Sequence, residues 1–511
     1  MTAVTGSRTT RLAACAAVLV LLPAGSARGE DAAPPERTKT PIQHFVALMQ
    51  ENHSFDNYFG TYPGAEGIPE GACMPIDPRA EFQLGGRRWH YGQRRSFERF
   101  LRRREGRTYS DWARRHPDDA ARVFGDARAQ ASAPRGGCIR PFHIGNRAVQ
   151  DLGHTTRVFA DQFAGGQMDG FVHAIERDIG RIDRTVMGHY DDRDIPYYWN
   201  VADEYVLFDR FFTSAAGGSV WNHMFWVSGT PGNYEADVIP DGGFGHIRTI
   251  FDRLEERGIS WKFYVQNYDP TINFRSPGTG DRGSQLVWVP LLNYARFLDD
   301  PKLSRHIVDL AEYYEDLERG TLPAVSYIAP SGSSEHPPGS IQAGQRFVRN
   351  LINALMRSSA WKSSAFSWTY DDWGGFYDHV RPPRVDPYGY GFRAPALLVS
   401  PYAKRGHIDS TTLDFTSYLK FIEHNWGLEP LAPRDRRANN LLSAFDFDRP
   451  PRKAKFVSPV RHEPTRDEPR RIAIYIIYAL TFAFTAAMIA LAVKTGGRER
   501  RPPRVREGAR T

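Results

Sequence analysis

The sequence PIQHFVALMQENHSFDNYFG, residues 41–60, decides the fold. Its apolar run Phe45–Met49 is bounded by polar residues, which is typical of a short buried strand. Ligands of open α/β sheets bind beyond the carboxyl ends of such strands, where Glu51 and Asn52 follow. Both side chains carry hard oxygen atoms that suit a metal ion. A strand that leads into an ordinary polar loop is the alternative for this stretch taken alone.

Five further apolar runs alternate with helical patterns, which predicts a single α/β domain over residues 41–445. The predicted strands are Tyr205–Phe208, Gly258–Val265, Leu322–Pro330, Ala365–Tyr370 and Ala394–Pro401, with helices at Ile341–Arg357 and Phe415–Trp426. Two of these strands end in polar clusters that contain Glu335-His336 and Asp371-Asp372. Adjacent carboxylates repel each other, so a bound cation best explains the aspartate pair.

A glycine-rich turn precedes Ser219, and Asn222 follows three residues later. Residues at that spacing lie on one face of a helix. A serine at a helix N-terminus is surrounded by free backbone N–H groups and the positive end of the helix dipole, which suits a phosphate. A hydroxyl needs a base or a metal to become a nucleophile. Taken alone, this segment favours the alternative, in which Ser219 is an ordinary helix N-cap.

Arginine is dense in residues 87–135, which predicts a basic surface insertion whose helices are polar on most faces. Such a surface attracts anionic lipid or a phosphate-bearing substrate, with a solvated face as the alternative. The net charge of +7 is concentrated in local segments, so no nucleic-acid partner is expected. Cys73 and Cys138 flank the insertion and predict a disulfide in an exported chain. Two free buried thiols are the alternative.

Both ends of the chain carry apolar segments. Residues 1–29 have the layout of a signal peptide, with Arg8 and Arg11 before an apolar stretch and small residues after it. The uncharged segment Ile472–Val493 is long enough to span a bilayer. A linker over 446–471 precedes it and a basic tail over 494–511 follows, so the positive-inside bias places the tail in the cytoplasm. We therefore expect an anchored domain outside the cytoplasm; a buried soluble helix is the alternative.

Several stretches resemble the bacterial phosphoesterase family of phospholipases C and acid phosphatases, within the alkaline phosphatase superfamily. They are HFVALMQENHSFDNYFG, MDGFV, IPYYWNVADEYVLFDRFF, SGSSEHPPGSIQAGQ, TYDDWGGFYDHV and GFRAPALLVSPYAKRG. The resemblance implies an alkaline-phosphatase-like central sheet between helix layers. It also implies phosphate-ester hydrolysis through a phosphoseryl intermediate with a divalent metal ion.

Site residues follow from the resemblance position by position. The implied metal ligands are Glu51, Asn52, Asp371, Asp372 and Ser219. Ser219 matches the nucleophile, and Asn222 lies beside it. His154, His336 and His379 match histidines that bind phosphoryl oxygens or protonate the leaving group, and none is singled out as the acid.

Four positions depart from the pattern and leave the substrate pocket open. Gly218 and Trp221 stand where proline is usual, His223 stands where arginine is commoner, and Trp373 stands where an acidic residue or histidine is usual. The leading hypothesis is phospholipase C-like cleavage of phospholipid head groups. An acid phosphatase for soluble monoesters and a non-catalytic surface binding protein with the same fold are the alternatives.

Overall fold

The computed structural model describes residues 38–496 except 79–80, 91–92, 118, 121–137, 146–147, 235, 280–282 and 462–467. The predicted signal peptide and nearly all of the predicted basic tail therefore lie outside the described residues.

An eight-stranded sheet forms the centre of the domain. In chain order its strands are β1 (His44–Gln50), β2 (Val206–Phe208), β3 (Trp261–Val265), β4 (Ile307–Asp309), β5 (Val325–Ala329), β6 (Ser364–Tyr370), β7 (Ala396–Val399) and β8 (His407–Asp409). Their order across the sheet is β4-β3-β5-β1-β6-β7-β2-β8. All neighbours are parallel except β7, which runs antiparallel to β6 and to β2.

Strand β1 lies between β5 and β6, parallel to both. Leu48 pairs with Ile328 on one side and with Trp368 on the other. The carboxyl ends of these three strands therefore meet at one edge of the sheet. This register brings the polar residues that follow β1, β5 and β6 together.

Helices cover both faces of the sheet, since all seven residues of β6 are buried. Phe45 contacts Tyr418 and Phe421 of one helix, with ring centroids 5.8 and 5.1 Å apart. Trp368 points to the opposite face and contacts Tyr198, 5.5 Å away. The α-helices of the domain outside the basic insertion are Phe55–Phe59, Thr156–Phe163, Phe171–Ile179, Pro196–Glu204, Ser219–Ser228, Ile250–Arg257, Gln285–Trp288, Ala295–Asp299, Pro301–Ser304, Ala311–Arg319, Ile341–Arg357, Phe415–Trp426 and Pro433–Arg437.

The six predicted strands are confirmed, four of them with shorter bounds. The edge strands β4 and β8 were not predicted. Each has only three residues, too few for a pattern of apolar residues to stand out.

The basic insertion has a small core of its own, built on a hairpin (Glu81–Leu84 with Arg87–His90) and helices at Arg94–Phe100 and Tyr109–Arg115. The sequence did not indicate this small core, because its helices carry exposed polar residues around one buried apolar face. Trp89, Phe97, Leu101, Tyr109 and Trp112 are buried together. The predicted disulfide is confirmed, because Cys73 and Cys138 are bonded and close this segment at its base.

The chain after the domain does not leave it at once. Arg452 donates to Glu204 Oε1 over 3.1 Å, and Trp361 Nε1 donates to the Arg452 carbonyl over 3.1 Å. Part of the predicted linker therefore packs against the domain. A helix then spans Glu468–Gly496. Its segment Tyr475–Lys494 is long and apolar enough to cross a membrane, with a mean hydropathy of 2.3, and it is not buried against the domain.

Candidate active site

The residues after β1 and β6 meet at the sheet edge. The Asp371 N–H donates to the Gln50 carbonyl over 2.9 Å, which continues the strand pairing by one residue. The Asn52 N–H donates to Asp371 Oδ1 over 3.1 Å. Asn52 has a φ of +63°, a left-handed conformation that asparagine tolerates better than most residues. A Cβ on Gly374 would lie 2.2 Å from the Asn52 carbonyl oxygen, so only glycine fits against this turn.

Three buried oxygens at this edge have no hydrogen-bond partner among the described residues: Glu51 Oε1, Asn52 Oδ1 and Asp371 Oδ2. Unpaired buried polar atoms are costly and rare in folded proteins. Burial and then repulsion from Asp371 raise the pKa of Glu51 and of Asp372 well above their ordinary values. A divalent cation would pair the free oxygens and offset the repulsion, so these residues fit the metal that the sequence implies.

His223 joins this cluster, although sequence reasoning did not count it as a ligand. Its Nδ1 lies 3.0 Å from the Ser219 carbonyl, which only accepts, so Nδ1 carries the proton. Burial lowers the pKa of the ring, which is therefore neutral. The lone pair on Nε2 then faces Glu51 Oε1, 3.6 Å away. The sequence did contain a signal: His223 follows Ser219 by four residues, and that spacing places the two side chains on one face of a helix.

Ser219 is the first residue of the helix Ser219–Ser228. Its Oγ donates to Asp372 Oδ2 over 3.3 Å, so the hydroxyl lies directly beside the carboxylate cluster. Asn222 fixes the preceding loop: it accepts from the Ala215 N–H over 2.9 Å and donates to the carbonyls of Gly217 and Gly218 over 3.2 and 3.0 Å. We therefore assign Asn222 a positioning role for Ser219.

Two predicted histidines lie at the open side of the cluster. His154 Nε2 is 3.4 Å from Asn52 Nδ2 and 3.9 Å from Asp372 Oδ2. The His336 ring lies 6.0 Å from that of His154. Burial lowers the pKa of His154, but Asp372 and then Asp151 more than compensate and raise it to about 9. The negative charges of Asp372 and Asp151 therefore favour the protonated form of His154.

The structure does not bring His379 into this cluster. Its Nδ1 is 2.7 Å from Asp56 Oδ2, and Arg393 pairs with both Asp56 and Asp378 at 3.1 and 2.9 Å. Arg393, Asp56 and Asp378 are completely or almost completely buried. These contacts explain His379 as part of a buried charge network, and its catalytic role stays a prediction.

The Glu335 carboxylate, which the sequence placed in a polar cluster beside His336, is buried and held by tyrosines. Tyr58 and Tyr370 donate to Glu335 Oε2 over 2.5 and 2.9 Å, and Tyr198 donates to Oε1. Burial raises the pKa of Glu335 to about 7, and the three tyrosine hydrogen bonds oppose that rise. This cage fixes the backbone that carries His336.

The fold and the site define a hydrolase of phosphoric esters. Carboxylate and amide oxygens, a serine at a helix N-terminus and histidines meet at the carboxyl ends of parallel strands. The sequence matches the Phosphoesterase family over residues 42–429, and the chain belongs to that family.

Relatives with this similarity are named phospholipases C. The chain is 27% identical to phospholipase C B of Mycobacterium tuberculosis, over 85% of this chain and 82% of that protein. It is 28% identical to the non-hemolytic phospholipase C of Burkholderia pseudomallei, over 80% of this chain and 59% of that one. It is 31% identical to the non-specific phospholipase C1 of Arabidopsis thaliana, over 50% of this chain and 51% of that one.

Among solved structures, a protein in the alkaline phosphatase superfamily from Vibrio parahaemolyticus is similar, with 14% identity and a TM-score of 0.30 over 51% of this chain and 65% of that one. The phosphonate monoester hydrolase of Agrobacterium radiobacter has 12% identity and a TM-score of 0.27, over 53% of this chain and 74% of that one.

Proposed function

We propose that this protein is a metal-dependent phospholipase C that cleaves phospholipid head groups through a phosphoseryl intermediate on Ser219. The observation that supports it most is the set of three unpartnered buried oxygens beside the Ser219 hydroxyl. Glu51, Asn52, Asp371 and Asp372 would hold the cation together with Ser219, and His223 Nε2 would complete the set. A cation bound there lowers the pKa of a hydroxyl and polarises a phosphoryl oxygen.

The residues of the chain carry the steps of the reaction. Ser219 Oγ passes its proton to Asp372 Oδ2 as it attacks phosphorus in line with the leaving group. The bond from phosphorus to the diacylglycerol oxygen breaks, and His154 gives that oxygen its proton. Neutral His154 then takes a proton from water, whose oxygen attacks phosphorus. The bond from phosphorus to Ser219 Oγ breaks, and Asp372 returns the proton to that oxygen. His336 and the positive end of the helix dipole stabilise the phosphoryl oxygens.

His154→Asn is expected to slow the release of poor leaving groups far more than that of good ones. A general acid is typically worth about 10²–10⁴-fold when the leaving alkoxide is basic, while p-nitrophenolate leaves without help. Turnover of phenyl and p-nitrophenyl phosphorylcholine by the two proteins measures this difference. His336→Asn serves as the matched comparison: if it shows the leaving-group dependence and His154→Asn does not, the acid is His336.

Asp237 favours a diester over the monoester substrates of an acid phosphatase. Its Oδ1 accepts from the Trp221 N–H over 2.7 Å, and a Cβ on Gly218 would lie 2.9 Å from its Oδ2. This carboxylate therefore borders the start of the Ser219 helix. It repels the second negative charge of a monoester dianion more than it repels a singly charged diester.

A substrate panel on the full-length protein tests this preference. We expect phosphatidylcholine and p-nitrophenylphosphorylcholine to have a higher kcat/KM than p-nitrophenyl phosphate. Asp237→Asn should narrow that ratio because it removes the repulsion. A wild-type preference for monoesters would instead identify an acid phosphatase.

We also propose that the helix Glu468–Gly496 anchors the protein in a membrane, with the catalytic domain outside the cytoplasm. Its apolar segment is uncharged until Lys494, and its described side chains are exposed, including Tyr475, Phe482 and Phe484. Soluble proteins rarely expose so long an apolar surface. The anchor would keep the site beside its lipid substrate.

A further inference from the structure

The basic insertion contains a cavity that the phosphoesterase site does not use. It has a volume of about 1060 Å³ and lies between the hairpin strand Arg87–His90 and the chain from Gln93 to Glu105. Five arginines line it: Arg87, Arg88, Arg99, Arg103 and Arg104. Glu105 is the one acidic side chain of its described lining, and Glu105 already lies 3.7 Å from Arg107.

The walls of this arginine pocket are held by packing. Gly85 at the hairpin turn has a φ of +61°, and a Cβ there would lie 2.4 Å from the Phe100 ring. The Trp89 ring packs on Phe97 and Phe100, with centroids 5.0 and 5.1 Å away. This packing fixes the hairpin against the helix. It therefore also fixes the backbone positions of the arginines around the cavity.

Three of the five pocket arginines have no counter-charge within the described part of the chain. Arg102 pairs with Glu98 and Arg114 pairs with Asp111 on the exposed side of the insertion. For Arg99, Arg103 and Arg104, by contrast, no described carboxylate lies within 4.0 Å. Guanidinium groups that converge without counter-charges repel each other, and a phosphate group pairs with their planar forks in a bidentate manner.

We propose that the arginine pocket binds the phosphate of an anionic phospholipid head group. It is a second phosphate site, lined by residues 85–105, and does not depend on the chemistry at Ser219. A lipid is favoured over a soluble anion because the same chain carries an apolar helix long enough to cross a bilayer. Arginines near an anionic membrane surface are attracted to it.

The test uses the full-length Ser219→Ala protein in neutral detergent micelles, so that no lipid is consumed. Phosphatidylglycerol and phosphatidylcholine are titrated in the same micelles by calorimetry. Arg99→Gln/Arg103→Gln removes two pocket arginines. The control Arg102→Gln/Arg114→Gln removes the same charge from two exposed arginines of the same insertion.

We expect the pocket variant to raise the Kd for phosphatidylglycerol by about tenfold or more, since two charge-assisted contacts are lost, while the control changes it less than twofold. Equal loss in both variants would show diffuse attraction and overturn the proposal. So would a parent protein that binds the two lipids equally. Inorganic phosphate is titrated in the same way. If phosphate binds as tightly as phosphatidylglycerol and the pocket variant weakens both equally, the pocket does not select a lipid and the proposal is overturned.

Thermal unfolding of each variant shows whether the insertion still folds. If Arg99→Gln/Arg103→Gln unfolds early, Arg99→Lys/Arg103→Lys replaces it, because lysine keeps the charge but lacks the bidentate fork. Weaker phosphatidylglycerol binding by that folded variant supports the pocket, and unchanged binding overturns it.

Discussion

Ser219→Ala is expected to abolish turnover of p-nitrophenyl phosphate and p-nitrophenylphosphorylcholine. Loss of a nucleophile costs on the order of 10⁴-fold or more in kcat, because the other groups have no atom to form the covalent intermediate. The protein should still fold, since the hydroxyl makes only a 3.3 Å contact with Asp372. Initial rates at saturating divalent metal, with thermal unfolding in parallel, measure both effects.

Ser219→Thr is the matched variant, because it keeps a hydroxyl at the same position and should retain measurable turnover. Activity of Ser219→Ala close to that of the wild type would exclude Ser219 as the nucleophile. A wild-type protein that cleaves neither substrate with any divalent metal would favour the non-catalytic binding protein instead.

Asp371→Asn is expected to remove most of the bound metal, as measured by elemental analysis of the purified protein. The metal affinity should fall by more than the roughly 10- to 100-fold that results when a residue hydrogen-bonded to a ligand is removed. A second result follows from the raised pKa values of Glu51 and Asp372, which repulsion from Asp371 helps to cause. Without metal the variant should unfold at a higher temperature than the wild type at neutral pH, because it lacks the Asp371 charge that repels Glu51 and Asp372.

His223→Gln in the same experiment asks whether the ring is a ligand. A smaller but clear loss of metal supports ligation by Nε2, whereas unchanged metal content removes His223 from the set. Asp161→Asn is the control, since Asp161 pairs with Arg177 at 2.7 Å outside the site. Unchanged metal in Asp371→Asn would contradict the ligand assignment of Asp371.

The acidic and amide residues at the strand ends could be predicted to lie together because each follows a buried strand directly. The sequence indicates that Phe45–Met49 and Ala365–Tyr370 are strands. If these two strands pair with each other, Glu51 and Asp371 lie side by side at their carboxyl ends. The antiparallel direction of β7 gave no such signal, since a short buried run has the same composition in either direction.

Features that depend on tertiary packing could not be predicted. The tyrosines that hold Glu335 come from three separate segments at residues 58, 198 and 370. His379 follows Asp371 by eight residues, yet the turn between them directs its ring to Asp56. The aromatic residues of the insertion are spaced among arginines, so their common burial emerges only when the hairpin folds back on the helix.

The bond between Cys73 and Cys138 has a consequence for how this protein can change during evolution. The two Cα atoms are 5.4 Å apart although 65 residues separate them in the chain. One or two residues could bridge that gap, because consecutive Cα atoms are about 3.8 Å apart. The segment between the cysteines is thus a cassette that can be shortened, lengthened or exchanged without moving the strands that carry the ligands. The surface of the insertion can therefore change during evolution while the edge of the central sheet is kept.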